Sequence, residues 1–306
     1  MRDPSVWLCF NCEECSSTCP VNAKPGRVMA GIRQMAVEYY ATPRWPARFL
    51  HQPGQHILAW LGAALLLLAA VAVGGSFRPQ TGLVRLASML PHRTVNIFFC
   101  AVAGLALFGM LQGAARAWKA FLGNALPTDL RRLLGAGCAA AREISTQTKV
   151  AECRQFPLSR WAHLAVMYGF LALLALAGLA VVLILTGAAY PMAAWHPYKI
   201  VANLAALFLI LGTLYFLVQR LRNSRRGDAS SWFDWALLID LLLVGITGVL
   251  TEIFRFANNA RLAYPAYFVH LVAVLVLLAG VPYSKLAHVV YRALALTACE
   301  YEGKRG

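Results

Sequence analysis

Four of the chain's eight cysteines fall within eleven positions: Cys9, Cys12, Cys15 and Cys19, followed at once by Pro20. The spacing is C-x2-C-x2-C-x3-C-P, the run with which bacterial-type ferredoxins hold [4Fe–4S] clusters. Two residues between thiols let three of them converge on three irons of one cube, and the proline directs the fourth elsewhere. So tight a run does not suit a disulfide framework. Zinc is the competing metal, but it ordinarily takes C-x2-C knuckles separated by a longer loop. The run therefore predicts a cluster on Cys9, Cys12 and Cys15, with Cys19 offered to a neighbour. By this count the cluster-binding head is incomplete, because in two-run ferredoxins each run lends its fourth thiolate to the other cluster. The remaining cysteines are Cys100, Cys138, Cys153 and Cys299. A run upstream of Met1, Cys153 folded back, or a thiolate from a partner would complete the set.

Histidines come next. His270 and His288 are eighteen residues apart. On one continuous helix that is five whole turns, so both rings would share a face about 27 Å apart and serve two different sites. A kink at Pro282 would shorten the distance. His163 matches His288 in depth on a helix of opposite direction, and the two suit the axial positions of a b haem. His270 then needs a mate at the outer side. His196 and His92 compete for that place, and a headgroup-facing role is open to both. Asp240 lies about two turns inside an apolar span, where a carboxylate is costly unless neutral or paired. Proton exchange with a bound quinone and a hydrogen bond to a neighbouring helix are both open to it. Gly245 and Gly248 in the same span allow close approach of a flat macrocycle or of another helix.

The elements that must position these groups are apolar. The 306 residues are 59% hydrophobic and 13% charged, with a mean hydropathy of +0.59, which excludes a soluble domain. Six spans are predicted, at about His56–Phe77, Val95–Leu111, Trp161–Thr186, Tyr198–Val218, Trp232–Leu250 and Ala266–Val290. Polar residues 1–50 form a small iron–sulfur head, and residues 51–306 an all-α membrane bundle with a long loop at about 112–160. Thr128 or Asp129 is placed to cap an amphipathic helix in that loop. Of the 28 Lys and Arg residues, 22 fall on the side of the head. That bias puts both termini in the cytoplasm. The net charge of +15 thus reports membrane orientation, not nucleic-acid binding.

The stretches "WLCFNCEECSSTCP", "RWAHLAVMYGF", "HPYKIVANLAALFLILG" and "VPYSKLAH" together resemble the ferredoxin–cytochrome b subunit of the quinone-interacting membrane-bound oxidoreductase complex. That family joins a heterodisulfide-reductase-like ferredoxin head to a cytochrome b domain like the nitrate reductase gamma chain. The resemblance implies a multi-pass subunit of a bacterial-type cytoplasmic membrane, in a quinone-linked oxidoreductase complex. It further implies cytoplasmic flavin and iron–sulfur partners, the quinone pool as substrate, and a place in dissimilatory sulfur metabolism beside adenylylsulfate reductase. There are two departures. The gamma-type pattern has a second histidine where Leu173 stands, and the family's head has two cysteine runs where this chain has one. A membrane electron carrier of the tricarballylate-utilisation type is the near alternative, and a non-redox anchor with a zinc-binding head the more distant one.

Overall fold

A bilayer offers backbone amides no water, so an apolar stretch that crosses it must satisfy them within its own helix. The structure, a computed structural model, describes residues 2–10, 14–21, 23–76, 82–123, 128–152, 158–187, 192–225 and 231–303. Among them there is no strand, and six helices are long and apolar enough to cross a membrane. They are α5 (Pro53–Gly74), α6 (His92–Leu122), α8 (Ser159–Leu185), α9 (Pro197–Arg225), α10 (Trp232–Phe256) and α11 (Ala260–Gly280). Large apolar side chains such as Leu61, Leu65, Leu105, Phe108 and Leu185 stand exposed along them. That is the outer surface of a multi-pass membrane protein. The predicted all-α bundle is what forms.

Four short helices precede the bundle: α1 (Ser5–Leu8), α2 (Glu14–Ser17), α3 (Pro25–Tyr40) and α4 (Trp45–Leu50). Proline occupies the first turn of α3, α4 and α5, where its missing N–H costs nothing. The long loop carries α7 (Leu130–Thr146), and of the two residues placed to cap it Asp129 does so, accepting from the Arg132 amide at 3.0 Å. α7 lies along the last helix, α12 (His288–Glu302), and the Arg132 guanidinium sits over the Tyr301 ring at 5.5 Å.

Two spans differ from expectation in ways that bear on the site, while α9 and α10 run past their expected ends to Arg225 and Phe256. The second continues to Leu122, so the loop starts later than residue 112. The sixth is Ala260–Gly280, not Ala266–Val290, and His288 opens a separate helix. Pro282 is the reason, since it lacks the amide that the next turn of α11 requires. The chain turns instead, with the Tyr283 and Ser284 amides both donating to Gly280 O at 2.9 and 2.8 Å. A 3₁₀ turn, Lys285–Ala287, follows, capped by Ser284. The two histidines therefore do not share one helix face.

The head is not a separate body. Trp7 of α1, Tyr40 of α3, Phe121 of α6 and Tyr291 of α12 meet in one aromatic core. Ring centroids are 5.1 Å apart for Trp7–Tyr291, 5.3 Å for Tyr40–Tyr291 and 6.0 Å for Tyr40–Phe121. Within the membrane, α8 and α9 approach through glycines. A methyl at Gly169 would lie 2.7 Å from Ala205 O, and one at Gly212 would lie 2.6 Å from Ala162 O. Both atoms are backbone and cannot swing aside. Gly169→Ala and Gly212→Ala should each cost about 1–3 kcal/mol of stability by overpacking, lowering the thermal midpoint in detergent. Gly178→Ala, with nothing within 4 Å, should leave the midpoint unchanged.

Candidate functional site

The turn after α11 fixes the first functional side chain. Lys285 reaches back to Asp234 in the first turn of α10, Nζ to Oδ1 at 2.5 Å, and Arg220 of α9 closes on the other carboxylate oxygen at 3.2 Å. Asp234 is buried. This three-way ion pair locks the 3₁₀ turn to two spans, and His288 follows directly from it. The His288 Nδ1 lies 2.5 Å from Lys285 O. A carbonyl can only accept, so Nδ1 carries the proton and Nε2 is left as a lone pair. Burial, then the neighbouring His163, hold His288 far below the ordinary imidazole range, at about 3. It is neutral at physiological pH, as a metal ligand must be.

His163, in the first turns of α8, faces it. The ring centroids are 6.3 Å apart and the planes stand at 87°. Two metal–nitrogen bonds of about 2 Å each, together with the two ring radii, account for roughly that separation. The His163 Nδ1 lies 2.6 Å from the side-chain amide of Gln147, whose other amide atom, Oε1, is buried without a partner. The nitrogen and oxygen of an amide are interchangeable by a half-turn. Turned so, Oε1 accepts from Nδ1–H and the His163 Nε2 also becomes a lone pair. A ligand histidine is oriented in this way by a partner on its far nitrogen. Gln147 caps the C-terminus of α7 in a left-handed conformation, φ 48°, its backbone N–H donating to Glu143 O at 2.7 Å.

The segment that leads into the cysteine run, residues 7–10, lies against the same helix as His288. Arg292, one turn beyond His288, donates to Trp7 O at 2.8 Å and to Leu8 O at 3.3 Å, and stacks over Phe10 at 4.2 Å. Arg33 of α3 donates to Val6 O at 2.9 Å and to Cys9 O. Burial lowers the pKa of both guanidiniums, that of Arg292 to about 10 with the help of Arg33 beside it. Two half-buried cations thus flank the first cysteine. Cys9 and Cys19 are half-buried and Cys15 exposed, while Cys12 lies outside the described residues. The Ala23 amide donates to the Cys19 sulfur at 3.3 Å. Among the described residues no three His, Cys, Asp or Glu side chains gather as for a metal ion.

Asp240 is buried and hydrogen-bonded. Its Oδ1 meets His56 Nε2 and Trp60 Nε1 of α5, each at 3.2 Å. His270 lies ten residues from either end of α11, so it sits near mid-helix and not toward the outer side. It packs on Gly248, where a methyl would come within 3.0 Å of the ring, and its Nδ1 is 3.2 Å from the Thr247 hydroxyl. Gly245 meets Ile210 of α9. Both glycines serve helix packing. His196 stands exposed just before α9, with its Nδ1 accepting from the Tyr198 amide at 3.2 Å. His270 lies about 15 Å along α11 from either of its ends. His92, half-buried, opens α6.

Two groups of known proteins are similar to the chain. One subunit of the dihydromethanophenazine:CoB–CoM heterodisulfide reductase of Methanosarcina barkeri is 32% identical over 153 residues, 45% of this chain and 58% of that protein. Its counterpart in Methanosarcina thermophila is 32% identical over 154 residues, with the same shares covered. Citrate utilization protein B of Escherichia coli is 26% identical over an alignment of 331 residues, 98% of this chain and 82% of that protein. The chain thus spans little more than half the length of the reductase subunits it matches. No protein-family model matches it, and no solved structure does.

The spacing and types of residues point to His163 and His288 but not to Gln147, Arg292 or His56. Only His56 carries a local signal: it precedes Trp60 by four positions, which puts two hydrogen-bonding rings on one helix face. The ion triple offers a direct check. Asp234→Ala leaves two half-buried cations unanswered, which should destabilise the turn. Amide hydrogen exchange at Leu286, Ala287 and His288 should then speed up well before exchange in α8.

Proposed function

We propose that the chain is the membrane subunit of a quinone-linked electron-transfer complex, with a b haem held between His163 and His288. The observation that carries this reading is the imidazole pair with ring centroids 6.3 Å apart and both Nδ1 atoms turned to protein partners, which leaves both Nε2 atoms free to serve as lone pairs. A haem bound there supplies one-electron chemistry between ferric and ferrous iron. The protein's share is to hold each ring in one tautomer and one orientation. It also fixes their distance through the Asp234–Lys285–Arg220 lock.

The cysteine run supplies the second centre in this proposal. Cys9, Cys12 and Cys15 are the ligands of a [4Fe–4S] cluster and Cys19 serves a neighbouring one, as their spacing implies. Arg33 and Arg292 offset the negative charge of such a group. Arg292 also ties the backbone at Trp7 and Leu8 to the helix of His288, which supports electron passage between the two centres. The head faces the cytoplasm on the strength of the basic-residue bias, in a bacterial-type cytoplasmic membrane. There it meets a flavin or iron–sulfur partner. The similarity to a component of heterodisulfide reductase supports a place in such a complex.

A setting in citrate or tricarballylate utilisation is the second reading. The near full-length match to citrate utilization protein B favours it over dissimilatory sulfur metabolism. Deleting the gene should then abolish growth on the tricarboxylate and spare growth with sulfate, and the opposite pattern would select the sulfur setting.

The haem assignment is tested on purified protein by pyridine haemochrome and optical spectra. One b haem per chain is expected, and His163→Ala and His288→Ala should each abolish the low-spin bands. A six-coordinate, unshifted spectrum in either variant would show the pair to be wrong. Gln147→Leu should keep the haem but weaken its retention, by about 10–100-fold in affinity.

A further inference from the structure

His56 and Asp240 meet where the bundle is most demanding. Both side chains are more than nine-tenths buried. Asp240 lies eight residues into α10, about 12 Å beyond its first residue. The carboxylate accepts from Trp60 Nε1 and faces His56 Nε2 at 3.2 Å. An imidazole–carboxylate hydrogen bond there puts the ring proton on Nε2. The 3.3 Å approach of Trp60 Nε1 to that nitrogen is then a contact and not a hydrogen bond. The other ring nitrogen, His56 Nδ1, is buried with no hydrogen-bond partner. His56 and Asp240 line a cavity of about 20 Å³ between α4, α5, α10 and α11, which is room for one water molecule or one hydroxyl. Its wall is otherwise largely apolar, formed by Leu50, Leu237, Val276 and Leu277, and it extends to His51 and Ser284 at the head end. Ser284 is one turn before His288.

A carboxylate that fixes one imidazole nitrogen and leaves the other as a lone pair is the arrangement of a general base. An ion pair kept only for packing would have no reason to leave the second nitrogen unanswered, because a buried unsatisfied nitrogen costs free energy. The oxygen-sized cavity gives that nitrogen something to act on. Its apolar wall and depth select a partner that arrives through the lipid. We propose that His56, oriented by Asp240, is the proton acceptor for a lipid-soluble hydroquinone whose hydroxyl enters this cavity. His51, Trp60 and Trp232 are the other polar or aromatic groups facing His56. His51 donates its Nε2–H to Tyr283 O at 3.1 Å.

The step balances simply. The hydroquinone O–H bond breaks, its proton passes to His56 Nδ1, and the imidazolium is stabilised by Asp240. Each electron leaves singly to a one-electron acceptor of the ferric haem class, and His56 releases the first proton to water before it takes the second, so that two protons and two electrons leave per hydroquinone. The product is the quinone. In the opposite direction the imidazolium returns its proton to the reduced oxygen. This inference rests on the electron-transfer reading above, and its test separates the two.

Two measurements on the purified full chain decide it. Fluorescence quenching of 2-heptyl-4-hydroxyquinoline N-oxide, a quinol analogue, reports occupancy of the cavity whether or not haem is present. Menadiol mixed with oxidised protein in a stopped flow reports proton-coupled electron transfer. His56→Gln should weaken analogue binding at least about tenfold and slow haem reduction by menadiol about 10²–10⁴-fold. The spectrum reduced by dithionite should stay that of the wild type. Asp240→Asn, which keeps the volume, should slow menadiol similarly by releasing the tautomer, and it carries the test if His56→Gln does not accumulate. Wild-type analogue affinity together with wild-type menadiol rates in these variants would overturn the proposal. A protein without haem defeats the electron-transfer reading, while the analogue titration still judges His56 on its own.

Discussion

A polar group below the surface of a bilayer must find its counterpart in the protein, because lipid offers none. At the head end of this bundle Asp234 is answered twice, by Lys285 from the turn after α11 and by Arg220 from α9. Three segments are tied by one carboxylate. The turn that Pro282 forces would otherwise be a loose end. Locked in this way it becomes the platform that gives His288 its direction, and α12 carries on from it to form the aromatic core with the head. The placing of the imidazole pair, the docking of the cysteine segment through Arg292 and the shared core all depend on that constraint.

The residues divide by charge in a consistent way. Beside Cys9 stand two arginines that donate to backbone carbonyls, Arg33 to Val6 O and Arg292 to Trp7 O. His288, one turn away, sits in surroundings that favour its neutral form, which suits a metal and not a salt bridge. Asp240 sits apart with His56 and Trp60, and nothing in its contacts links it to the ion triple. A head with fixed cations, an imidazole pair and a separate carboxylate–imidazole couple form three distinct polar environments within one half of the bundle.

How much of this is legible in the sequence follows from what each signal physically depends on. The six spans are, since length and apolarity are local properties, and so is the Asp129 cap of α7. His163 and His288 can be matched because depth along a helix can be counted in residues. The end of the sixth helix cannot be read in this way. Whether a proline kinks or ends a helix depends on what receives the chain beyond it, and here that is Asp234 on another span. The start of the sixth helix also differs, at Ala260 instead of Ala266, and this places His270 near mid-helix. Gln147 and Arg292 act through tertiary contacts at sequence separations of 16 and 283 to 285 residues, which no periodicity encodes. The depth of Asp240 calls for a partner, but nothing local names His56, which lies 184 residues away.

The central claim is that His163 and His288 bind one iron between them with their rings nearly perpendicular. Electron paramagnetic resonance of the oxidised, purified protein tests it most directly. The account predicts a low-spin ferric signal with the strong anisotropy that crossed axial imidazoles produce, from one centre per chain. A high-spin ferric signal, or a rhombic low-spin signal of parallel imidazoles that is unchanged in His288→Ala, would contradict it.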